Sequence, residues 1–355
     1  MLQGEEATRG AEITGSTTFD QVSLRQIPKG GSAAHDAVAE LRLRWRTLLA
    51  VPVAALIALG IHRLIADRLP AVESHSYNLL FFEIVAVSIA LIVAQRFWIG
   101  LRGWMRHMCP IFTAAILLLG LWDVVTVGFR LLPLPYFPGP AAILRSLIND
   151  RILLLDSTWH SLVLLLSGYT LGVLAGVISG VCIGWSQPVR YWGMPVLKVI
   201  GPIPATAWIP LAMVVSPSAF VSAAALIALA VWFPVTMLTA SGISNTRASY
   251  LDVARTLGAK RGYLIFHVAV PAAVPNIFIG LFMGLGASFL TLVVAESVGV
   301  KSGLGWYVNW AQGWAEYGKV FAALVLMAAF FSTLMTLLFK VRDRVLVWQK
   351  GVIKW

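Results

Sequence analysis

Charged side chains are scarce in this chain: Asp, Glu, Lys and Arg make up 12% of its 355 residues, against 59% hydrophobic ones. Soluble domains carry about 25% charged residues, so a water-facing globule is excluded, and the mean hydropathy of +0.81 agrees. Cysteine is nearly missing. Cys109 and Cys182 fall at a membrane edge and in an apolar helix, which leaves no disulfide framework and no CxxC metal site. The six histidines, His35, His62, His75, His107, His160 and His267, show no HExxH or paired spacing, so neither a metal ligand nor a catalytic residue is assigned. The first 40 residues, rich in Gly, Ser, Thr and Ala, lack an apolar stretch behind a basic start. They do not read as a cleavable signal, and a flexible cytoplasmic tail is expected there. The two-residue alternation of a β-barrel is also missing, since runs such as 161–183 are continuously apolar.

What is present is a series of apolar runs, each of the length, about 18 to 25 residues, that crosses roughly 30 Å of hydrocarbon as a helix. Spans are expected at 47–66, 79–95, 111–128, 158–184, 203–215, 220–242, 272–295 and 320–339. The fold class is thus all-α: a polytopic helical membrane protein with about eight transmembrane helices and lipid as its surroundings. The fifth run is short and carries Pro204 and Pro210, which interrupt the backbone ladder.

A net charge of +11 would suit a nucleic-acid binder, but the basic residues gather beside the apolar runs and form no single stripe, so no nucleic-acid partner is expected. Such clusters report topology. Arg42, Arg44 and Arg46 precede the first span, and Arg96, Arg102 and Arg106 separate the second from the third. With alternating crossings, Arg190, Lys198, Arg247, Arg255, Lys260, Arg261, Lys340, Arg342, Arg344, Lys350 and Lys354 join that side. Arg63, Arg68, Arg130, Arg145, Arg151 and Lys301 face the other. The richer side is cytoplasmic by the positive-inside rule, which puts both termini of this multi-pass membrane protein inside.

Within the fourth span Gly168, Gly172, Gly176, Gly180 and Gly184 recur every fourth residue, the small-xxx-small pattern that lets two membrane helices approach closely. Charges inside spans are costly and draw attention to Glu83, Asp123 and Glu296. Pairing between spans or snorkelling suits the first two. Glu296 ends the seventh span, where a contact with protein is expected. Trp208 lies between Pro204 and Pro210, where irregular backbone at membrane depth is tolerated only beside protein or water, so lining a pathway and packing in the core are both open to it. Trp159, Trp306, Trp310 and Trp314 suit an interfacial aromatic belt. The stretch GWAEYGKV at 313–320 approaches a phosphate-cradling loop, but Val320 stands where a magnesium-binding Ser or Thr belongs, and no strand precedes it.

The segment between the sixth and seventh spans is too long for a turn. Residues 250–257 read as a short amphipathic helix, with Leu251 and Ala254 on one face. Gly258 permits a turn at positive φ, and a second short helix is expected to follow as far as Pro271. Asp252, Val253 and Ala254, then Gly258, then Val268, Val270 and Pro271 reproduce the spacing E-A-A-x3-G-x9-I-x-L-P. At these residues the chain resembles the permeases of bacterial binding-protein-dependent ABC importers of type I. TWHSL (158–162), IPATAWIPLA (203–212), RTLGAKR (255–261), VVAESVGVKSGLGW (293–306) and LPLPYFPGP ending at Pro140 are similar to the nitrate, sulfonate, taurine and bicarbonate branch. Gly201, Val215 and Ser216 depart from that branch.

The resemblance covers roughly residues 156–342. It implies a cytoplasmic coupling loop at 244–271, in which Asp252, Val253, Ala254, Gly258, Ala259 and Pro271 engage a separate ABC ATPase. That partner would bind the ATP and magnesium, so this chain is expected to hold no cofactor and to be no enzyme. It implies an extracytoplasmic solute-binding protein and a second permease copy, most simply a homodimer, as further partners. The implied layout is a tail at 1–44, two additional transmembrane helices at 45–107, a first family-like helix with an outer Pro-rich loop at 108–155, the permease core at 156–342 and a basic tail at 343–355. A secondary transporter driven by an ion gradient is the rival reading, but it calls for midplane acids and internal repeats, and no convincing repeat is found. A membrane enzyme would need a clustered nucleophile, metal or acid–base set, and none is apparent.

Overall fold

The computed structural model describes residues 49–64, 75–95, 99–133 and 135–348. The expected tails at 1–44 and beyond 348, and the topology markers Arg42, Arg44, Arg46, Arg68, Arg96, Lys350 and Lys354, lie outside them. Every regular element among the described residues is a helix, as lipid demands of a chain that must satisfy its own backbone donors and acceptors. In order they are α1 (Leu49–Leu64), α2 (His75–Ala94), α3 (Ile99–Asp123, followed by a π turn at Val124–Gly128), α4 (Pro140–Asn149), α5 (Arg151–Trp185) and α6 (Gln187–Ile200). A 3-10 turn (Ala205–Trp208) leads to α7 (Ile209–Val215), α8 (Ala219–Ser244) and α9 (Ala248–Thr256). Then come α10 (Arg261–Tyr263), a π turn (Leu264–Ala269), α11 (Val270–Val298), α12 (Leu304–Gly313) and α13 (Tyr317–Val345).

Six of these helices, counting Arg261–Val298 as one, are long and apolar enough to cross a membrane, and a bent pair makes up to seven. Among the described residues helix α1 is apolar and shorter than a full crossing. The expected fifth span, 203–215, is not one helix. It consists of the 3-10 turn and the seven-residue α7, with α6 meeting them at an 84° bend. Seven residues rise only about 10 Å, and the bend falls at Pro204, whose nitrogen has no proton for a helical bond. Helix α6 was hidden in the sequence because Arg190, Tyr191, Trp192 and Lys198 make it amphipathic where a span is uniformly apolar. Its Arg190 turns back to donate to the carbonyls of Ile183 and Gly184, 3.2 and 2.9 Å away, and so caps the end of α5. Helices α4 and α12 likewise stand where the sequence suggests loops.

The centre of the molecule is α8 held between α5 and α11. A Cβ placed on Gly168, Gly172, Gly176, Gly180 or Gly184 would lie 2.6, 2.7, 2.8, 2.5 and 2.7 Å from the Cβ of Ile227, Val231, Val235, Thr239 and Ile243. Two four-residue registers thus run side by side, and only a hydrogen at each α5 position leaves room for the facing branched side chain. Lipid tails are as apolar as these side chains, so the seam is held by close van der Waals contact and not by exclusion of water. On the other flank Gly280 and Gly284 bring α11 within 3.1 Å of Val235 and Val231 of α8, measured from an added Cβ. Leu164, Leu165, Ile227, Leu292 and Ala295 complete this core.

Helices α1 to α3 have a core of their own, with Val51, Ala55, Ala58, Tyr77, Phe81, Cys109 and Ile116, joined to α4 through Ala141. Asp123 at the end of α3 meets the Nδ1 of His62 on α1 at 2.7 Å, both side chains almost fully buried. Glu83, on α2, remains exposed. Of these two acids, one pairs between helices and the other has no ion pair among the described residues.

Candidate functional site

At the end of the molecule that carries α9, the chain makes a sharp corner at Gly258. The Gly258 N–H donates to the carbonyl of Arg255 at 2.9 Å, and the Ala259 N–H reaches back to that of Ala254 at 3.0 Å. With Gly258 at φ +83°, this is the paired-bond cap in which a left-handed residue ends a helix and satisfies two of its free carbonyls. A side chain at Gly258 would meet nothing within 4 Å, so the glycine serves the backbone angle and leaves the corner slim. Asp252 and Arg255 form an exposed pair at 2.9 Å, which contributes little to stability.

Tyr250, Val253, Ala254 and Leu257 on one side and Tyr263 and His267 on the other line an open groove at this corner. Leu257 is 82% exposed and Val253 61%. Apolar side chains are thus left uncovered on both flanks of the corner. The ring of Tyr263 stacks on His267 at 4.4 Å, which stiffens the second wall. That wall is not the short helix ending at Pro271 that the sequence suggests. From Arg261 the helix continues through a π turn into α11 and runs to Val298. Pro271 sits in the first turn after the widened segment, where its missing N–H costs little.

The bent segment at Pro204, Trp208 and Pro210 packs on α8 and α11. Both prolines are exposed and Trp208 is half-buried. Its indole Nε1 is enclosed yet has no hydrogen-bond partner among the described residues. A buried N–H without an acceptor carries a desolvation cost of about 1–3 kcal/mol, so the position is strained in favour of any acceptor that arrives.

Glu296 stands elsewhere, at the α12 end. It is 1% exposed and accepts from the Ser161 hydroxyl at 2.7 Å and from the Gly305 N–H at 2.8 Å. Ser161 in turn accepts from the Leu304 N–H at 2.9 Å. The carboxylate and the hydroxyl together satisfy the free N–H groups at the start of α12, and clasp α5, α11 and α12 at one point. Gly303, at φ +113°, lies so close that a Cβ there would come 2.3 Å from Glu296 Oε1. Among the described residues no hydrogen bond joins this clasp to the Pro204, Trp208 and Pro210 segment.

A second polar knot beside it was not anticipated. Tyr307 donates to Asp150 at 2.7 Å, and Lys319 bridges Asp150 at 3.3 Å and Glu316 at 2.6 Å, with its ammonium 4.9 Å from the Trp310 ring centre. Burial, and then the Asp150 carboxylate that it faces, push the Tyr307 hydroxyl well above its ordinary range, so it stays a donor. Three charges and a tyrosine flanking apolar runs were the available signal. The same knot occupies the lysine of GWAEYGKV, while a Cβ on Gly318 would come 3.1 Å from Ser146 and 3.3 Å from Ala142. No phosphate cradle exists there.

Residues 168–347 match the family described as "Binding-protein-dependent transport system inner membrane component". The chain is 32% identical over 229 residues to the putative aliphatic sulfonates transport permease SsuC of Bacillus subtilis, covering 64% of this chain and 81% of that one. It is 31% identical over 223 residues to the taurine transport system permease TauC of Escherichia coli, covering 61% and 80%. It is also 29% identical over 184 residues to the nitrate import permease NrtB of Synechococcus elongatus, covering 51% and 63%. The family match takes in the glycine seam, the bent segment, the Gly258 corner and Glu296, and begins after α4. With its membrane-length helices and that match, the chain belongs to the inner-membrane components of binding-protein-dependent transport systems.

Proposed function

We propose that this chain is the translocating subunit of an ATP-driven importer of small sulfonates or oxyanions. The observation that carries the reading is the α9 corner: a protruding, slim, apolar tip whose cap bonds hold its shape without help from neighbouring side chains. Such a tip fits a groove on a cytoplasmic ATPase, which supplies ATP and magnesium, while this chain catalyses no bond breakage. Asp252, Val253, Ala254, Gly258 and Ala259 make the contact, and Pro271 marks where the corner passes into α11. The names of the sulfonate, taurine and nitrate relatives support an anionic cargo.

In this reading the α9 end is cytoplasmic, both termini lie inside, and the α12 end receives the solute from a binding protein. Two copies face one another across the path, with Pro204, Trp208 and Pro210 toward it. The enclosed, unpartnered Trp208 N–H is a donor suited to an oxyanion. ATP-driven closure of the partner shifts the population between inward-open and outward-open forms, which requires only that the partner bind one form better. The core at 156–342, the loop at 244–271 and the additional helices at 45–107 are the working divisions.

The deciding experiment replaces Ala254 with Arg and, separately, Gly258 with Trp, in chains that still insert in the membrane. Co-purification with the ATPase and uptake of radiolabelled taurine, an alkanesulfonate and nitrate are then measured. Loss of both the complex and uptake is expected. Undiminished complex and transport would overturn the coupling role of the corner.

A further inference from the structure

The helices outside the family match hold an unusual groove. It is lined by Val51 of α1, by Leu80, Glu83, Ile84, Val87 and Leu91 of α2, and by Met105, Met108 and residues up to Leu119 of α3. Along α3 it runs from Met105 to Leu119, about 21 Å at 1.5 Å per residue, which is most of the thickness of the hydrocarbon. An opening that long and that apolar suits an extended rod and not a compact solute. Its wall has one acidic residue. Glu83 lies eight residues from the start of α2 and eleven from its end, roughly 12 and 16 Å along the axis, so it stands near mid-membrane. No hydrogen bond or ion pair to it occurs among the described residues, and its side chain is exposed.

A carboxylate in hydrocarbon is costly unless a cation or donor meets it. The apolar middles of its other spans supply none, and Arg63 of α1 forms no ion pair with Glu83 among the described residues. The stretches 77–94, 108–128, 161–185, 219–244, 268–298 and 320–339 contain no Lys, Arg or other histidine that a second copy could present at that depth. His62 is occupied by Asp123. A bound lipid would fill the length but would bring its charge only to the surface. We propose that the α2–α3 groove seats a transmembrane helix of a different membrane protein, one that carries a Lys or Arg near its midpoint to pair with Glu83. The two methionines on the groove wall suit a surface that adapts to a partner helix. This interaction is independent of the transport reading, because it uses residues before Gly168 and none of the Gly258 corner.

The test uses the full chain in phosphatidylethanolamine–phosphatidylglycerol vesicles and fluorescent Leu/Ala transmembrane peptides that differ only in a central Lys, Leu or Glu. Association is read by energy transfer to a dye on the protein. The Lys peptide is expected to bind about tenfold more tightly than the Leu peptide, a ratio equivalent to ~1.4 kcal/mol and within the range of polar contacts between membrane helices. The Glu peptide is expected to bind least. Glu83→Gln removes the preference for Lys while retaining the shape, and Val87→Trp, which fills the groove, weakens every peptide. Equal binding of the Lys and Leu peptides to the unaltered chain would overturn the proposal without reference to any variant, and would leave a lipid as the occupant. A Lys preference that survives in Glu83→Gln would overturn it too, by placing the counter-charge elsewhere.

Discussion

Gly180 and Thr239 face each other so closely that a methyl group on the glycine would lie 2.5 Å from the threonine Cβ. No two non-bonded carbon atoms sit at that separation, so the helix axes themselves would have to part. Gly180→Leu should therefore unzip α5 from α8 and cost at least the about 1–3 kcal/mol typical of overpacking. Gly286→Ala is the control, since no atom lies within 4 Å of its added Cβ. It should be neutral or slightly stabilising, by up to about 1 kcal/mol, as the helix interior prefers alanine. Thermal aggregation in detergent measures both, and equal behaviour of the two variants would refute the seam.

At the corner, Gly258→Ala places a Cβ in a left-handed conformation, at a cost of about 1–2 kcal/mol, though nothing crowds it. Asn tolerates that region better than Ala. ATPase recovery with the purified permease should fall in the order Gly, Asn, Ala, while Gly262→Ala, with open space and ordinary φ, should leave recovery unchanged. The same order in a pull-down at low salt and high salt would locate the effect in backbone shape and not in the exposed Asp252–Arg255 pair.

Glu296→Gln offers the Ser161 hydroxyl and the Gly305 N–H one acceptor oxygen and one donor amide where two acceptor oxygens stood. A loss of about 1–3 kcal/mol of stability is expected, with faster proteolysis in the 299–303 loop. The ranking of taurine, alkanesulfonate and nitrate as competitors should not change. A changed ranking would show that the carboxylate meets cargo after all.

Trp208→Phe keeps the ring and deletes the N–H. If the enclosed donor meets the anion on its way, uptake falls several-fold with little change in melting temperature, and Trp208→Ala lowers both. Uptake by Trp208→Phe equal to the unaltered chain would remove the indole N–H from the path.

Single cysteines at Ser249 and Ser302, in a background with both Cys109 and Cys182 changed to Ala, should react with membrane-impermeant maleimide from opposite faces. The 38-residue helix Arg261–Val298 lies between them. Labelling of both from one side would overturn the proposed topology.

What the sequence made legible was whatever a single helix can display alone. The five glycines of α5 announce a seam because their period is local, but the facing register from Ile227 to Ile243 on α8 looks like any apolar run, and only the fold reveals it as the partner. Gly258 was readable because a left-handed cap depends on one residue type at one place. Glu296 was readable as unusual and not as a clasp, since its partners Ser161 and Gly305 are 135 and 9 residues away. In the 203–215 run Pro204 and Pro210 announced an interrupted backbone, but not its junction with α6 at an 84° bend, because α6 is amphipathic. Helices α4, α6 and α12 lay hidden because a short amphipathic helix at an interface has the composition of a loop.

The helix from Arg261 to Val298 begins three residues after Gly258 and stops where Glu296 is clasped. At 1.5 Å per residue its 38 residues measure roughly 57 Å, longer than the bilayer is thick. The element that a cytoplasmic motor would push is thus the same one that fastens the opposite face. In the proposed reading, sealing of one side and release of the other would need no messenger between them, because both would be ends of one lever.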